Sequence, residues 1–191
     1  MKAFNIKLKD NLNDIVFMCC DVQKNLTKLL PNRQDIINSV SVLLQSSVFL
    51  NIPVIATEHD PETLGETDQE IINLFHTEVY LYTKSSFSMI NEKVLNKLLE
   101  LNRKTVVIFG LTTHVCILNT CIDLISRGFN VFVVCDGVSS QKKENHRVGL
   151  ERLKSIGVMQ TTTESALYEI LGSTKDDRFD KIHKVLTKLN N

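Results

Sequence analysis

The chain lacks net charge: 22 basic and 22 acidic side chains cancel over its 191 residues. No global field favours a polyphosphate or an anionic membrane surface, so nucleic acid is not an expected partner. It also lacks any apolar run near the roughly 20 residues a membrane-spanning helix needs, and no membrane partner is expected. The N-terminus, Met1-Lys2-Ala3-Phe4-Asn5-Ile6-Lys7, alternates charge with apolar residues where a secretory signal would be continuously apolar. A cytoplasmic location is expected, with mitochondrion and nucleus left open. No Cys-x-x-Cys pair occurs, which argues against a structural zinc site. The cysteine count of 5 is odd, and without a signal it points to free thiols in a reducing compartment. Internal repeats, low-complexity tracts and Pro/Gly-rich linkers are missing as well. The length fits one domain of roughly 100–200 residues, and 43% hydrophobic content excludes a disordered tail.

What is present is alternation. Ile15-Val16-Phe17-Met18-Cys19-Cys20 is a continuous apolar run ending at Asp21, the mark of a strand buried on both faces. Further strands are expected at Pro53–Thr57, Val79–Tyr82, Thr105–Gly110, Asn130–Cys135 and Val158–Thr161. Between them, helical spacing runs from about Arg33 to Leu50, through Val94–Leu101, from Thr113 to Arg127 before Gly128, from Lys143 to Ser155, and from Glu164 to Leu171. Such alternation predicts an α/β fold of three layers, with about six parallel strands joined by right-handed crossovers. Asp176–Leu189 reads as an additional amphipathic helix, either solvated or a partner-binding tail. The longest irregular stretch is expected at Glu58–Thr77, and a loop that long is more often functional than idle.

In an open parallel sheet, ligands bind at the carboxyl ends of the strands. Asp21, Thr57, Glu58, Lys84, Gly110 and Asp136 all fall there, with Cys116 in the first turn of the helix after the fourth strand. A free thiol with a pKa of about 8.5 is only a few per cent thiolate at neutral pH. Lowering that value by about two units takes roughly 2.7 kcal/mol. A helix start supplies about 1–2 kcal/mol of this, and an ammonium such as Lys84 can supply the rest. Asp21 could hold Lys84 charged or take the thiol proton, and backbone N–H groups at the helix start would face an oxyanion. The plainer readings are a buried inert cysteine, a turn aspartate and a surface lysine. A nucleotide-binding reading has no support, because Asp21-Val22-Gln23-Lys24-Asn25 offers no glycine cradle for a pyrophosphate.

Three segments in register, Cys20-Asp21-Val22-Gln23, Lys84-Ser85-Ser86-Phe87-Ser88 and Gly110-Leu111-Thr112-Thr113-His114-Val115-Cys116-Ile117, resemble the isochorismatase-like cysteine hydrolases. The likeness runs from about residue 12 to residue 172, leaving 173–191 as a helical extension of a single 1–191 domain. The Thr57–Thr67 loop and Asp136–Ser140 look closest to the eukaryotic isochorismatase domain-containing branch. The resemblance implies a three-layer αβα, Rossmann-like six-stranded parallel sheet ordered 3-2-1-4-5-6. It implies a triad of Asp21, Lys84 and Cys116 that hydrolyses a small carbonyl substrate, of amide type, through a thioester. A cis peptide between Leu111 and Thr112 would aim the Thr112 N–H, with that of Cys116, at the oxyanion. Gln23 would orient the Asp21 loop, Phe87 would wall the pocket, and His59 would be a loop residue or a substrate contact. No cofactor is expected.

The departures also carry information. Isochorismatases proper cleave a vinyl ether without needing the thiol, so Cys116 points away from that reaction. Metal-dependent nicotinamidases show an Asp-x-His pattern with a further histidine, whereas Glu58-His59-Asp60-Pro61 does not reproduce it. No metal is expected, and His76 would join only if the long loop folded back. Cys121 and His114 read as packing residues, His114 alternatively as an interface residue. The resemblance also implies a homo-oligomer, for which Ile117, Leu118 and Phe129 are candidates, though all three would serve equally in a core. The alternative to an enzyme is an interaction or scaffold module with vestigial activity.

Overall fold

Six apolar runs become the six strands of one sheet because each can be covered on both faces by the helices between them. The computed structural model describes residues 7–187, without the side chains of residues 9–11. After a 3-10 turn at Leu8–Asp14 come β1 (Ile15–Cys20), α1 (Lys24–Thr27), α2 (Arg33–Leu50), β2 (Val54–His59), α3 (Pro61–Leu64), α4 (Gln69–Ile72) and β3 (Val79–Lys84). Then follow α5 (Glu92–Leu101), β4 (Thr105–Leu111), a π-helical turn (Thr113–Ile117), α6 (Leu118–Ser126) and β5 (Asn130–Ser139). The described chain closes with α7 (Lys143–Ser155), β6 (Met159–Thr161), α8 (Thr163–Leu171) and α9 (Phe179–Leu186). The end of the helix expected to reach Leu189 lies outside the described residues.

All strand pairs are parallel, in the order β3-β2-β1-β4-β5-β6. β1 is wholly buried, and its residues alternate between two cores. Ile15, Phe17 and Cys19 join the core beneath α2, α8 and α9, while Val16, Met18 and Cys20 join the core on the α5–α6 side. That two-sided burial is why β1 shows no polar alternation. The chain leaves β1 toward β2 and β3, then returns to the opposite side of β1 as β4. The reversal opens a crevice at the carboxyl ends of β1 and β4, where Cys20 lies opposite Gly110.

Several expectations are redrawn. The stretch from Glu58 to Thr77 is not irregular throughout: β2 continues to His59, and two single-turn helices follow. Asp68 organises the second of these, accepting from Glu70 N while its other oxygen takes Thr27 Oγ1 at 2.6 Å and Arg33 at 2.9 Å. An antiparallel bridge between Gln23 and Thr67 ties the loop to the end of β1. β5 runs past Cys135, because its pairing with β4 resumes after an irregularity that places Val138 opposite Gly110. α9 is neither solvated nor a free tail, since Ile182, Val185 and Leu186 are buried in the core that α2 shares. Ile117, Leu118 and Phe129 are only 0%, 2% and 6% exposed, so they are core residues and unavailable to an interface. Among the described residues, no helix is long and apolar enough to cross a membrane.

Gly110 shows how tightly the crevice is built. Its φ is +112°, and a Cβ there would stand 2.1 Å from the Cys20 carbonyl oxygen. Gly110→Ala is therefore expected to lower stability by on the order of 2 kcal/mol or more. A urea midpoint within error of the parent would contradict this.

Candidate active site

Three strand ends and one helical turn supply the polar groups. Asp21, directly after β1, has φ +48°, a left-handed conformation that aspartate tolerates better than most residues. Its N–H donates to the Thr57 carbonyl at 3.0 Å, and Thr57 Oγ1 donates to Asp21 Oδ1 at 2.7 Å. Lys84 ends β3, two strands away, and its side chain crosses the end of β2 to place Nζ 2.7 Å from Asp21 Oδ2. Both side chains are fully buried. The ammonium also donates to the carbonyls of Ser86 at 3.0 Å and Phe87 at 3.4 Å, and stands 3.2 Å from His59 Nδ1. Oδ2 meets Nζ as an ionic contact, yet takes no aligned hydrogen bond among the described residues. It retains a lone pair for a further proton donor.

Cys116 arrives from the opposite side. Thr112 is the extended residue before the π-helical turn, the Leu111–Thr112 peptide is cis, and the turn presents Cys116 with 8% of its surface exposed. The ligating atoms of Asp21, His59 and Cys116 all lie within 4.8 Å of one another. These three could hold a metal ion, but the Lys84 ammonium already places a positive charge against two of them. The expected candidates Asp21, Lys84 and Cys116 thus converge. His76 does not join them: it pairs with Ser47 Oγ at 3.0 Å and accepts from Glu78 N.

The electrostatics follow from these contacts. The Cys20 thiol donates to the Cys116 sulfur and lowers the Cys116 pKa, with help from the Lys84 ammonium. Burial and the Asp21 carboxylate oppose that shift without cancelling it. Cys20 itself is pushed well up by burial and by this bond. Burial works against the charge on Lys84, but the groups at Cys20, Asp21 and Cys116 outweigh it and raise its pKa. Cys121 is fully buried and its pKa is pushed up by burial, in keeping with packing. His114, lowered by burial, is occupied with Ser140 Oγ at 2.9 Å and Asn145 Nδ2 at 3.2 Å.

The rim is fixed by Gln23. Fully buried, it presents no surface to a pocket; its amide donates to the carbonyls of His59 and Gly65 and accepts from His59 N. Phe87, 60% exposed, stacks on His59 with 5.8 Å between ring centres. A cavity of about 760 Å³ is lined in part by Asp60, Glu62, Thr83, Lys84 and Asn91; Lys84 is the one triad candidate that lines it, and neither His59 nor Phe87 does. A smaller one of about 150 Å³ lies at Thr112 and His114. The carbonyls that hold Lys84 were invisible to side-chain reasoning. So was the contact from Cys20, whose one available signal is its place beside Asp21 on the strand face turned toward the α5–α6 core.

The arrangement places a thiol, a carboxylate and an ammonium at the topological switch point of a three-layer αβα sheet. Residues 16–165 match the model of the isochorismatase domain, and the chain belongs to that family. It is 37% identical over 172 residues to "Isochorismatase domain-containing protein 1" of Danio rerio, covering 90% of this chain and 60% of that relative's length. Among solved structures, the MAR1 ribonuclease from Caenorhabditis elegans superposes with a TM-score of 0.89 at 27% identity, covering 94% of this chain and 92% of that one. The YcaC gene product of Escherichia coli, described as an octameric hydrolase of unknown specificity, shares the fold with a TM-score of 0.83, 19% identity and 97% coverage of each chain.

The buried pair generates a stability prediction. Lys84→Met leaves the Asp21 carboxylate uncompensated and should cost about 3–5 kcal/mol, while Asp21→Asn combined with Lys84→Met should recover most of the loss. Urea unfolding of the two variants checks this; equal losses in both would show that the pair is not the source.

Proposed function

We propose that the chain is a cysteine hydrolase that cleaves the C–N bond of a small amide through a thioester on Cys116. The observation that carries this reading is the meeting of Asp21, Lys84 and Cys116 at the end of the sheet, with the first two 2.7 Å apart and fully buried. Asp21 Oδ2 takes the thiol proton, and Lys84 offsets the negative charge that the site then holds. The Cys116 sulfur attacks the carbonyl carbon, and the N–H groups of Thr112 and Cys116 receive the oxyanion. The C–N bond breaks as Asp21 returns its proton to the leaving nitrogen. Asp21 then takes a proton from water, whose oxygen displaces the sulfur and releases the acid. His59 and Phe87 form the wall against which the substrate lies, and Gln23 holds that wall in place.

Family membership supports a hydrolase, and the YcaC neighbour is described in the same words. Its octamer supports self-association here as well, through surfaces other than the buried Ile117, Leu118 and Phe129. An RNA substrate, as the Caenorhabditis elegans neighbour's name would suggest, finds no support in a chain whose 22 basic and 22 acidic groups balance.

Cys116→Ala is expected to abolish both hydrolysis across an amide panel and labelling by carbonyl electrophiles, while Cys121→Ala spares both. Because the Cys116 pKa lies below its ordinary value, alkylation by iodoacetamide should rise through a midpoint below that of an unperturbed thiol measured alongside it. Lys84→Met should move that midpoint upward. Wild-type turnover by the Cys116→Ala protein overturns covalent catalysis. An ordinary thiol midpoint, with partners that bind the Ala variant unchanged, would favour a scaffold instead.

A further inference from the structure

A hydroxyl stands on the buried face of α6, where the neighbouring buried residues Leu118, Cys121 and Leu124 are apolar. It belongs to Thr120, which has no exposure to solvent. Burying a hydroxyl is costly unless its hydrogen bonds are made, and valine would fill the same space without a polar atom. The hydroxyl is used twice. Thr120 Oγ1 donates to the Cys116 carbonyl at 2.6 Å, and it accepts from the Met89 N–H at 2.9 Å. The first bond is one a helical threonine makes readily to the residue four before it. The second reaches 31 residues back along the chain and is not local.

The two partners belong to opposite sides of the site. Cys116 lies on the π-helical turn after β4, whereas Met89 lies in the segment 85–91 that joins β3 to α5. The carbonyls of Ser86 and Phe87 in that segment accept from the Lys84 ammonium. Ser86 Oγ donates to the Ser88 carbonyl at 2.8 Å, and Ile90 N donates to Ser88 Oγ at 3.1 Å, so the segment is braced internally. Such bracing fixes its shape but not its place over the sheet. Ser85, Ser86 and Phe87 are exposed, and Met89 is where the segment enters the core, beside Cys116, Leu118 and Cys121. We propose that Thr120 is a positioning residue, whose hydroxyl holds the turn that carries Cys116 in register with the segment whose carbonyls hold Lys84. The inference rests on the reading of Cys116 and Lys84 as parts of one reacting site.

Loss of the hydroxyl would leave the Met89 N–H buried without an acceptor, which costs the full desolvation of that donor. The segment relieves this by shifting, and the Ser86 and Phe87 carbonyls shift with it. Lys84 has no exposed side-chain surface, so water does not replace them directly. The ammonium then loses its fixed place opposite the Cys116 sulfur, and the peptide after Cys116 loses its anchor. A displacement of about 1 Å among reacting groups can cost roughly a hundredfold in rate. Valine keeps the shape of threonine and removes the hydroxyl, whereas serine keeps the hydroxyl and removes a methyl. The two variants therefore separate the bonds from the packing.

The experiment follows alkylation of Cys116 by iodoacetamide across pH in the full-length protein, resolved to the residue by mass spectrometry. Thr120→Val should raise the midpoint toward that of an unperturbed thiol. Its rate at neutral pH should fall roughly tenfold, because an ordinary thiol is only a few per cent ionised there. Thr120→Ser should follow the wild-type profile. Val185→Ala trims the core on the opposite face of the sheet, so it lowers the urea midpoint and should leave the alkylation profile unchanged. If Thr120→Val shifts the profile no more than Val185→Ala does, or if Thr120→Ser shifts it as far as Thr120→Val, the positioning role falls while the activated thiol stands. If wild-type Cys116 itself shows an ordinary thiol midpoint, the reading beneath the proposal falls. Hydrogen exchange of the wild-type Met89 amide, followed by nuclear magnetic resonance, needs no variant. That amide should be among the slowest to exchange, and fast exchange overturns the tether even where Thr120→Val does not fold.

Discussion

A carboxylate and an ammonium with no exposure to water, 2.7 Å apart, are what the site and much of its surroundings are arranged around. Burying either alone would cost several kcal/mol, and their mutual attraction offsets this only if the remaining donors and acceptors are also met. Asp21 and Lys84 lie at the ends of strands separated by β2, so the requirement becomes one of topology. Thr57, paired with Cys20 within β2, serves the carboxylate, and the Ser86 and Phe87 carbonyls serve the ammonium. The segment after β3 must therefore turn back over the sheet edge. The Glu58–Asp68 segment is held down by equally specific bonds: Thr67 donates twice to Glu58 Oε1, and Gln23 clasps the His59 backbone. A loop without regular periodicity is in this way as defined as the strands.

That dependence explains what could be read in the chain and what could not. Ile15–Cys20 announced a two-sided central strand because nothing but apolar contact acts on it, and the helices of α2, α5 and α7 followed from their spacing. The loop helices at Pro61–Leu64 and Gln69–Ile72 did not, because four residues hold no period and Asp68 is recognisable as a cap only once Thr27 and Arg33 meet its other oxygen. The apolar run of β5 ends at Cys135, and only pairing of Val138 and Ser139 with Gly110 and Leu111 carries the strand through Asp136-Gly137. At the site, strand-end position singled out Asp21, Lys84 and Cys116 as chemically unusual. Their convergence came from the family resemblance, because no local pattern reports that a β3 lysine reaches across β2.

Backbone carbonyls leave no trace in a residue string, and a cysteine inside an apolar run reads as a small core side chain. Cys20 occupies such a place and fills it like one, but it differs from alanine or valine in offering a proton to its neighbour. A methyl there would leave the Cys116 sulfur facing burial and the Asp21 carboxylate, both of which favour the neutral thiol. Core packing and thiol activation are therefore satisfied by one atom. The separation of Cys19 from that role by a single residue is a direct result of the strand's twofold alternation.

The same charges set the order of events in the proposed reaction. One ammonium balances one negative charge, so an ionised Asp21 and an ionised Cys116 together leave the buried site with an excess anion. With Lys84 charged, the site carries no excess charge only while the thiol's proton stays on one of those two groups. Acylation of Cys116 changes this balance, because a thioester sulfur carries no charge. Asp21 is then left as the sole anion opposite Lys84, with the lone pair of Oδ2 turned into the site and ready to accept a proton from water. A group that stores the thiol's proton in the first half of the cycle becomes the base of the second half without any movement of the backbone, because the charge of its neighbour has been removed by the chemistry itself.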